Sequence, residues 1–482
     1  MISLFASVAA LLLGYVLYSK FVERVFGVEP DRKTPAITLR DNVDFVPMPG
    51  WRIFLIQFLN IAGLGPIFGA VAGAMWGPSA FLWIVLGTIF AGGVHDYLSG
   101  MLSLRHKGES ITEITGYYLG GGMKQFMRVF TVLLMVMVGA VFVIGPAKIL
   151  HGMTGGFGGM SLWVWAIFIY YVLSTVLPID KLIGRIYPVF GIALLFMAAG
   201  IVVMMVTQGI QVPELTLTNL ANQHQDPEGF PLFPMLFVTI ACGAISGFHA
   251  SQSPLMARCM TSERQGRSIF YGTMVTEGVV ALIWAAISMS FFGGVKELNE
   301  VMAVQQGNAA SVVSDISNTL LGKIGGALAL LGVVAAPITS GDTAFRSARL
   351  IIADFLRSRQ SSLKNRLLIS LPLFAVGYGL TLIDFGIVWR YFAWTNQTLA
   401  TVTLWVVTVF LIKEGKNFWI SLVPAVFMSA VVVSYILLAP EGFQLPNEIA
   451  YVVGTGVAGL LLLTTLLRVY RRKTKLEVEL AE

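Results

Sequence analysis

Long apolar stretches alternate along the chain with short polar ones, most of them basic. A helix that crosses the hydrocarbon core of a bilayer needs about 20 mostly apolar residues. Stretches of that kind recur thirteen times, near residues 2–19, 52–75, 79–102, 127–149, 161–180, 186–206, 232–253, 269–292, 321–341, 366–384, 387–411, 418–438 and 448–468. The first lacks a basic leader, and no small-x-small cleavage site precedes Tyr18, Ser19 and Lys20, so it reads as an uncleaved helix rather than a signal peptide. The pattern predicts an all-α polytopic membrane protein with about thirteen transmembrane helices.

Composition agrees. Of 482 residues, 56% are hydrophobic and 12% charged, about half the charged share of a soluble domain. Mean hydropathy is +0.78, which rules out a soluble domain and a disordered chain. Two cysteines, Cys242 and Cys259, are too few for a disulfide scaffold or a cysteine-rich metal site. The net charge of +6 belongs to topology. With the N-terminus outside, all but four of the 32 Lys and Arg fall in inner segments, the exceptions being Lys148, Lys296, Lys323 and Arg390. The 207–231 loop has no Lys or Arg and carries Glu214, Asp226 and Glu228. The positive-inside rule therefore predicts an outer N-terminus and a cytoplasmic C-terminus, with no nucleic-acid partner.

Two spans are interrupted. The second holds Asn60, Gly63, Gly65 and Pro66 near its middle, and the seventh holds Gly243, Ser246, Gly247 and His249, followed by Ser251 and Gln252. Glycine tolerates non-helical angles and proline removes a donor, so both spans are expected to unwind inside the bilayer. Such backbone is tolerated only against protein or a water-filled cavity. The two spans are five apart and so run in opposite directions, which points to an inverted-repeat transporter with its substrate at the breaks. The expected organisation is an N-terminal helix and cytoplasmic linker (1–51), a first five-helix repeat (52–206), an external loop (207–231), a second repeat (232–412), and two C-terminal helices with a basic tail (413–482). Each second half-helix would offer its N-terminus to a carboxylate. Gly69, Gly73 and Gly77 read instead as a helix-packing ridge.

Several longer motifs carry a family resemblance: Asp41 to Pro49 (Asp-Asn-Val-Asp-Phe-Val-Pro-Met-Pro) with Asn60 to Ile67, Gly92 to Tyr97 (Gly-Gly-Val-His-Asp-Tyr) with Arg105 to Glu109, and Ser246 to Ser253. The chain resembles the carbon starvation protein A family across most of its length. That resemblance implies a bacterial inner-membrane uptake system for pyruvate or peptides, induced by nutrient limitation, with a LeuT-like 5+5 inverted repeat. The chain is shorter than the better-known members and is expected to lack their extra C-terminal spans, which leaves the substrate open.

Ionisable groups inside spans are functional suspects. His95 and Asp96 in the third span, and the isolated Glu277 in the eighth, are candidates for proton coupling. In the arrangement that the resemblance implies, Thr339 and Ser340 at the inner end of the ninth span face the first break, where a hydroxyl pair binds Na⁺; Asp342 could add charge. Asn396 and Gln397 in the eleventh span read as interhelical hydrogen-bond partners. There is no phosphate-binding G-x-x-x-x-G-K-[ST] loop and no H-E-x-x-H motif, so neither an ATP-driven engine nor a zinc protease is encoded. Thr339 to Asp342 only half matches the Gly-x-Gly-Asp pattern of intramembrane aspartyl proteases. The expectation is a secondary transporter, not an enzyme, that imports a small carboxylate or short peptide with H⁺ or Na⁺ and needs no cofactor beyond that ion. Membrane lipids are its other expected partner, and oligomeric state is left open. The alternative is a nutrient sensor or channel without coupled transport.

Overall fold

A computed structural model of the chain describes residues 1–41, 45–176, 180–305, 307–356, 358 and 362–479. Asn42, Val43 and Asp44 of the first family motif, the 177–179 part of the fifth predicted span, and Arg357 and Arg359 of the charge pattern lie outside the described residues.

The described residues form helices joined by turns and loops, and no strand occurs among them. In chain order the helices are α1 (Ile2–Phe26), α2 (Pro35–Thr38), α3 (Gly50–Ile61), α4 (Gly65–Gly73), α5 (Ser79–Leu86), α6 (Gly93–Arg105), α7 (Ile111–Leu119), α8 (Gly121–Met153), α9 (Gly159–Val176) and α10 (Asp180–Thr207). After the 208–231 loop come α11 (Leu232–Thr239), α12 (Gly247–Ala257), α13 (Gly272–Phe291), α14 (Val295–Val304), α15 (Ala309–Ala329), α16 (Ala336–Phe355), α17 (Leu363–Thr381), α18 (Phe385–Lys413), α19 (Trp419–Leu438) and α20 (Asn447–Glu479). Among the described residues helix occurs in each of the thirteen predicted spans, with non-helical breaks at 62–64 and 240–246. Among the described residues nine are individually long and apolar enough to cross a membrane, and the bent pair Gly50–Ile61 with Gly65–Trp76 makes a tenth.

Both interruptions are present. The α3–α4 pair bends by 46° across Ala62–Leu64. Proline fits at the start of α4 because the first turn has no intrahelical partner for its missing N–H. In the seventh span, residues 240–246 separate α11 from α12, and Gly243 sits at φ +90°, where a side chain would be strained. The two broken spans pack on each other. A Cβ on Gly65 would lie 2.3 Å from Cys242, one on Gly73 2.2 Å from Ile240, and one on Gly69 3.2 Å from the Thr239 carbonyl. Gly69 and Gly73 therefore form the expected packing ridge. Gly77 does not belong to it: at φ +78° it turns the chain after the helix, against Gln223.

A π-helical turn (Gly87–Gly92) joins α5 to α6, and another (Arg267–Tyr271) leads into α13. The two turns meet. Tyr271 donates from its hydroxyl to the Ile89 carbonyl at 2.6 Å, and Gly93 leaves room for the Tyr271 ring. Such widened turns leave backbone carbonyls free to bond across a helix interface.

Two electrostatic ties hold the faces. On the face of the 208–231 loop, Glu214 accepts from the Met1 amine and from the N–H groups of Ile2 and Ser3, at the positive end of the α1 dipole. Burial alone would raise the Glu214 carboxyl, but the amine, the Ser3 hydroxyl and these amides hold it down at about 2. With its pKa below the ordinary value, the tie stands at neutral pH and is lost only as pH falls toward that value. On the opposite face, the buried Glu263 accepts from both Arg105 Nε and Nη2 at 3.1 Å and from the Glu29 amide at 2.8 Å, with Arg32 at 3.5 Å. Basic residues read from the sequence as topology signals thus also clamp the linker after α1 to α6 and to the turn at Glu263 that precedes α13.

Gly92 gives a direct packing test. A Cβ there would lie 2.2 Å from the Ala244 carbonyl oxygen, a backbone atom that cannot rotate away. Gly92→Ala is expected to destabilise the protein by about 1–3 kcal/mol, seen as a lower melting temperature in detergent. Gly459→Ala on α20, where nothing lies within 4 Å, should leave it unchanged.

Candidate functional site

The two breaks and the helices around them enclose four buried ionisable side chains. His95 and Asp96 come from α6, His249 from the first turn of α12 and Glu277 from α13; all four are fully buried. His95 Nδ1 and His249 Nδ1 each lie 2.8 Å from a different oxygen of Asp96. An ionised carboxylate only accepts, so both histidines donate from Nδ1 and keep Nε2 for another partner. Nε2 of His249 lies 3.5 Å from a Glu277 oxygen. The result is a chain of alternating imidazole and carboxylate groups, His95–Asp96–His249–Glu277, that links the third, seventh and eighth spans. Buried charges persist only when paired in this way.

Cys242 sits at the same point. Its Sγ and the ligand atoms of His249 and Glu277 lie within 4.8 Å of one another, a separation that a divalent cation could also bridge. Asp96 engages Nδ1 of His249, while His249 Nε2 and both Glu277 oxygens are buried without a hydrogen-bond partner.

The half-helix ends are more occupied than the sequence suggests. The Phe248 amide in the first turn of α12 donates to Asn396 Oδ1 at 2.7 Å. Asn396 Nδ2 donates to Ser246 Oγ at 3.0 Å. Ser246 stands at the N-cap position, yet its side chain does not cap; Asn396 on α18 supplies the cap from another helix. Gly247 is pressed against α18 as well, since a Cβ there would meet the Asn396 carbonyl at 2.4 Å. At the other break, Gly65 packs on Cys242 and Gly63 on the Phe142 ring. Unused polarity lies nearby: Asn60 Oδ1, Gln252 Oε1 and both side-chain polar atoms of Gln57 are buried without a hydrogen-bond partner. Ser251 bonds the Phe248 carbonyl at 2.6 Å and receives Gln252 Nε2 at 2.9 Å.

The predicted cation residues separate. Ser340 Oγ lies 3.5 Å from the Leu59 carbonyl, just before the first break, and 3.2 Å from the Ala336 carbonyl. Thr339 Oγ1 donates to the same Ala336 carbonyl at 2.7 Å. Asp342 points elsewhere, accepting from Ser174 at 2.6 Å and from Arg346 at 3.2 Å.

Cavities open on either side of this centre. One of about 260 Å³ is lined by Ser251, Arg258, Glu113, Arg128 and Asp354, on the face of the basic loops. One of about 220 Å³ lies on the face of the 208–231 loop and reaches inward to Thr239. The packed breaks separate them. Sequence reading brought out His95, Asp96, His249 and Glu277 as separate suspects and did not join them. It passed over Cys242 as a ligand and read Asn396 only as a generic partner. The missing signal was that α12 has no capping side chain of its own.

Two interrupted helices of opposite direction, packed at a polar centre among surrounding spans, define a LeuT-type transporter architecture. The crystal structure of MhsT in complex with L-phenylalanine is similar over 86% of this chain and 99% of that one, with a TM-score of 0.56 at 14% identity, a likeness of fold. The carbon starvation protein CstA family matches residues 1–157, 155–324 and 321–435, and the chain belongs to that family of membrane transporters. It is 26% identical to the peptide transporter CstA of Campylobacter jejuni over 580 aligned positions, covering 94% of this chain and 82% of the relative. It is 29% identical to the pyruvate/proton symporter BtsT of Escherichia coli over 340 positions, 58% of this chain and 47% of the relative. An alignment of 580 positions exceeds the 482 residues of this chain, so the Campylobacter relative carries insertions within the matched region.

The Asn396 cap can be tested. Asn396→Ala leaves the Phe248 amide buried with no acceptor, a cost of about 1–3 kcal/mol. Hydrogen exchange of the 247–257 segment should accelerate while that of α8 stays as in the wild type. Unchanged exchange in α12 would show that the cap contributes nothing.

Proposed function

We propose that the protein is a secondary active transporter of the bacterial inner membrane that imports a small carboxylate nutrient, pyruvate or a short peptide, coupled to H⁺ or Na⁺. Its basic-loop face would be cytoplasmic, with the N-terminus outside and the C-terminus inside, as the positive-inside rule requires. The observation that carries this reading is the buried His95–Asp96–His249–Glu277 chain contributed by α6, α12 and α13. Ionisable groups of this kind are costly to bury inside a membrane and mark ion and substrate pathways. The names of the two relatives, one a peptide transporter and one a pyruvate/proton symporter, support the substrate range and favour the proton.

In this mechanism the substrate is held beside the breaks, near Asn60, Gly63, Gly65, Gly243, Ser246 and Gly247, with Ser251 and Gln252 on the inner side. A proton arriving at the relay changes the charge shared by Asp96, His249 and Glu277, and so changes how strongly α6, α12 and α13 are held together. Rocking of one bundle against the other would open one vestibule as it closes the other. If Na⁺ is the partner, Thr339, Ser340 and the Leu59 carbonyl supply the oxygen ligands that a hard cation needs. Asp342, engaged by Ser174 and Arg346, acts from a distance at most.

The test is uptake by the purified protein in liposomes with labelled pyruvate, lactate, amino acids and dipeptides, with and without imposed H⁺ and Na⁺ gradients. Saturable, ionophore-sensitive uptake of a carboxylate is expected. His249→Ala should lower it at least tenfold in a protein that still inserts and purifies, and in a Na⁺-dependent system Thr339→Ala with Ser340→Ala should abolish the Na⁺ response. Passive conductance would support the channel alternative, and binding without flux the sensor. Normal kinetics in His249→Ala would remove the relay from the mechanism.

A further inference from the structure

The cavity on the face of the 208–231 loop lies between the outer halves of the two broken spans. Ala72 and Met75 line it on one side, Met235 and Thr239 on another, and Trp389 and Arg390 on α18 close it. Its floor is the point where Gly69 packs against the Thr239 carbonyl. A solute entering from this side meets the cavity before the breaks can part.

Its chemistry is one-sided. No Asp or Glu lines it, and Arg390 is the one Lys or Arg among its lining residues. Arg390 donates from Nε to Glu441 at 3.0 Å. Glu441 is itself fixed, accepting from the Tyr435 hydroxyl at 2.5 Å, while its backbone carbonyl accepts from Tyr391 at 2.6 Å. This brace takes up one edge of the guanidinium, and neither terminal nitrogen of Arg390 has a hydrogen-bond partner among the described residues. The side chain is 35% exposed. Beside it, Trp389 is 8% exposed and its indole N–H is buried with no acceptor. His224 also lines the cavity, and burial pushes its pKa below the ordinary imidazole value, so it adds no charge at neutral pH. The cavity thus presents a braced cation beside a buried, unsatisfied indole N–H, with aromatic and methionine walls.

Resting on the transport reading above, we propose that Arg390 and Trp389 form an outer recognition site that takes the carboxylate of the incoming substrate, and that this site selects a small monocarboxylate without a charged amino group. A planar guanidinium edge matches a carboxylate in two parallel hydrogen bonds, and the indole N–H supplies a third donor. An ammonium group in the same cavity would lose water with no carboxylate to receive it. Arg390 and Trp389 are specificity residues here: they act at entry, ahead of the relay at His249.

The test compares wild-type protein with Arg390→Gln, Arg390→Lys and Trp389→Phe in liposomes, using labelled pyruvate. Loss of a charge-assisted pair should raise the apparent KM about tenfold in Arg390→Gln, with maximal rate within about twofold. Arg390→Lys should recover part of the loss, and Trp389→Phe, which keeps the ring, should raise KM about threefold. Pyruvate should protect Arg390 from modification by phenylglyoxal in the wild-type protein, read by peptide mass mapping, and a dialanine peptide should protect far less. Protection is measured without any variant, so a misfolded Arg390→Gln leaves the question decidable. An unchanged KM in Arg390→Gln, no protection, or equal protection by the dipeptide would overturn the proposal while wild-type uptake still upholds the transport reading. A wild-type protein that moves none of these carboxylates would overturn both.

Discussion

Asp96 holds the centre of the molecule together. A carboxylate removed from water inside a membrane protein must be compensated by partners of opposite or convertible charge. Here it is met by two imidazoles, one from its own helix and one from the broken seventh span, with Glu277 beyond the second. These contacts tie the third, seventh and eighth spans at the depth where the seventh loses its helix. The unwound segment brings Cys242 and His249 to Glu277, and its own backbone is held by Trp83 and Thr88, whose side chains donate to the Ile240 and Gly243 carbonyls at 3.1 and 2.8 Å.

Glycine makes the close approach possible. Gly65, Gly73 and Gly92 face Cys242, Ile240 and the Ala244 carbonyl at separations that admit no side chain. Apolar surface gives no driving force between helices in lipid, so contact of this kind, with hydrogen bonds such as Tyr271 to Ile89, is what binds spans together. The charged ties lie at the two faces, the part-exposed Glu214 on one and the buried Glu263 on the other. A rigid polar centre between adjustable faces suits a protein whose vestibules must open in turn.

The helices and both breaks were legible in the sequence because hydropathy and the positions of Gly and Pro are local signals. The pairing of polar residues was not. Asp96 and His249 are separated by 153 positions, and which imidazole meets which carboxylate depends on how helices cross. Asp342 shows the other side of this. Its bond to Arg346 lies one helical turn away and could have been read from spacing alone; it draws Asp342 off the Ser340–Leu59 contact. Asn396 was visible as a polar residue in an apolar span, but its role as the cap of α12 follows only from the position of α18 over Gly247.

The most direct test separates concentration from exchange. In liposomes with an inward proton gradient, Asp96→Asn is predicted to exchange labelled for unlabelled substrate across the membrane yet fail to accumulate it, because the relay has lost the group shared by both histidines. Accumulation at the wild-type level by Asp96→Asn would contradict the central claim, whatever the substrate proves to be.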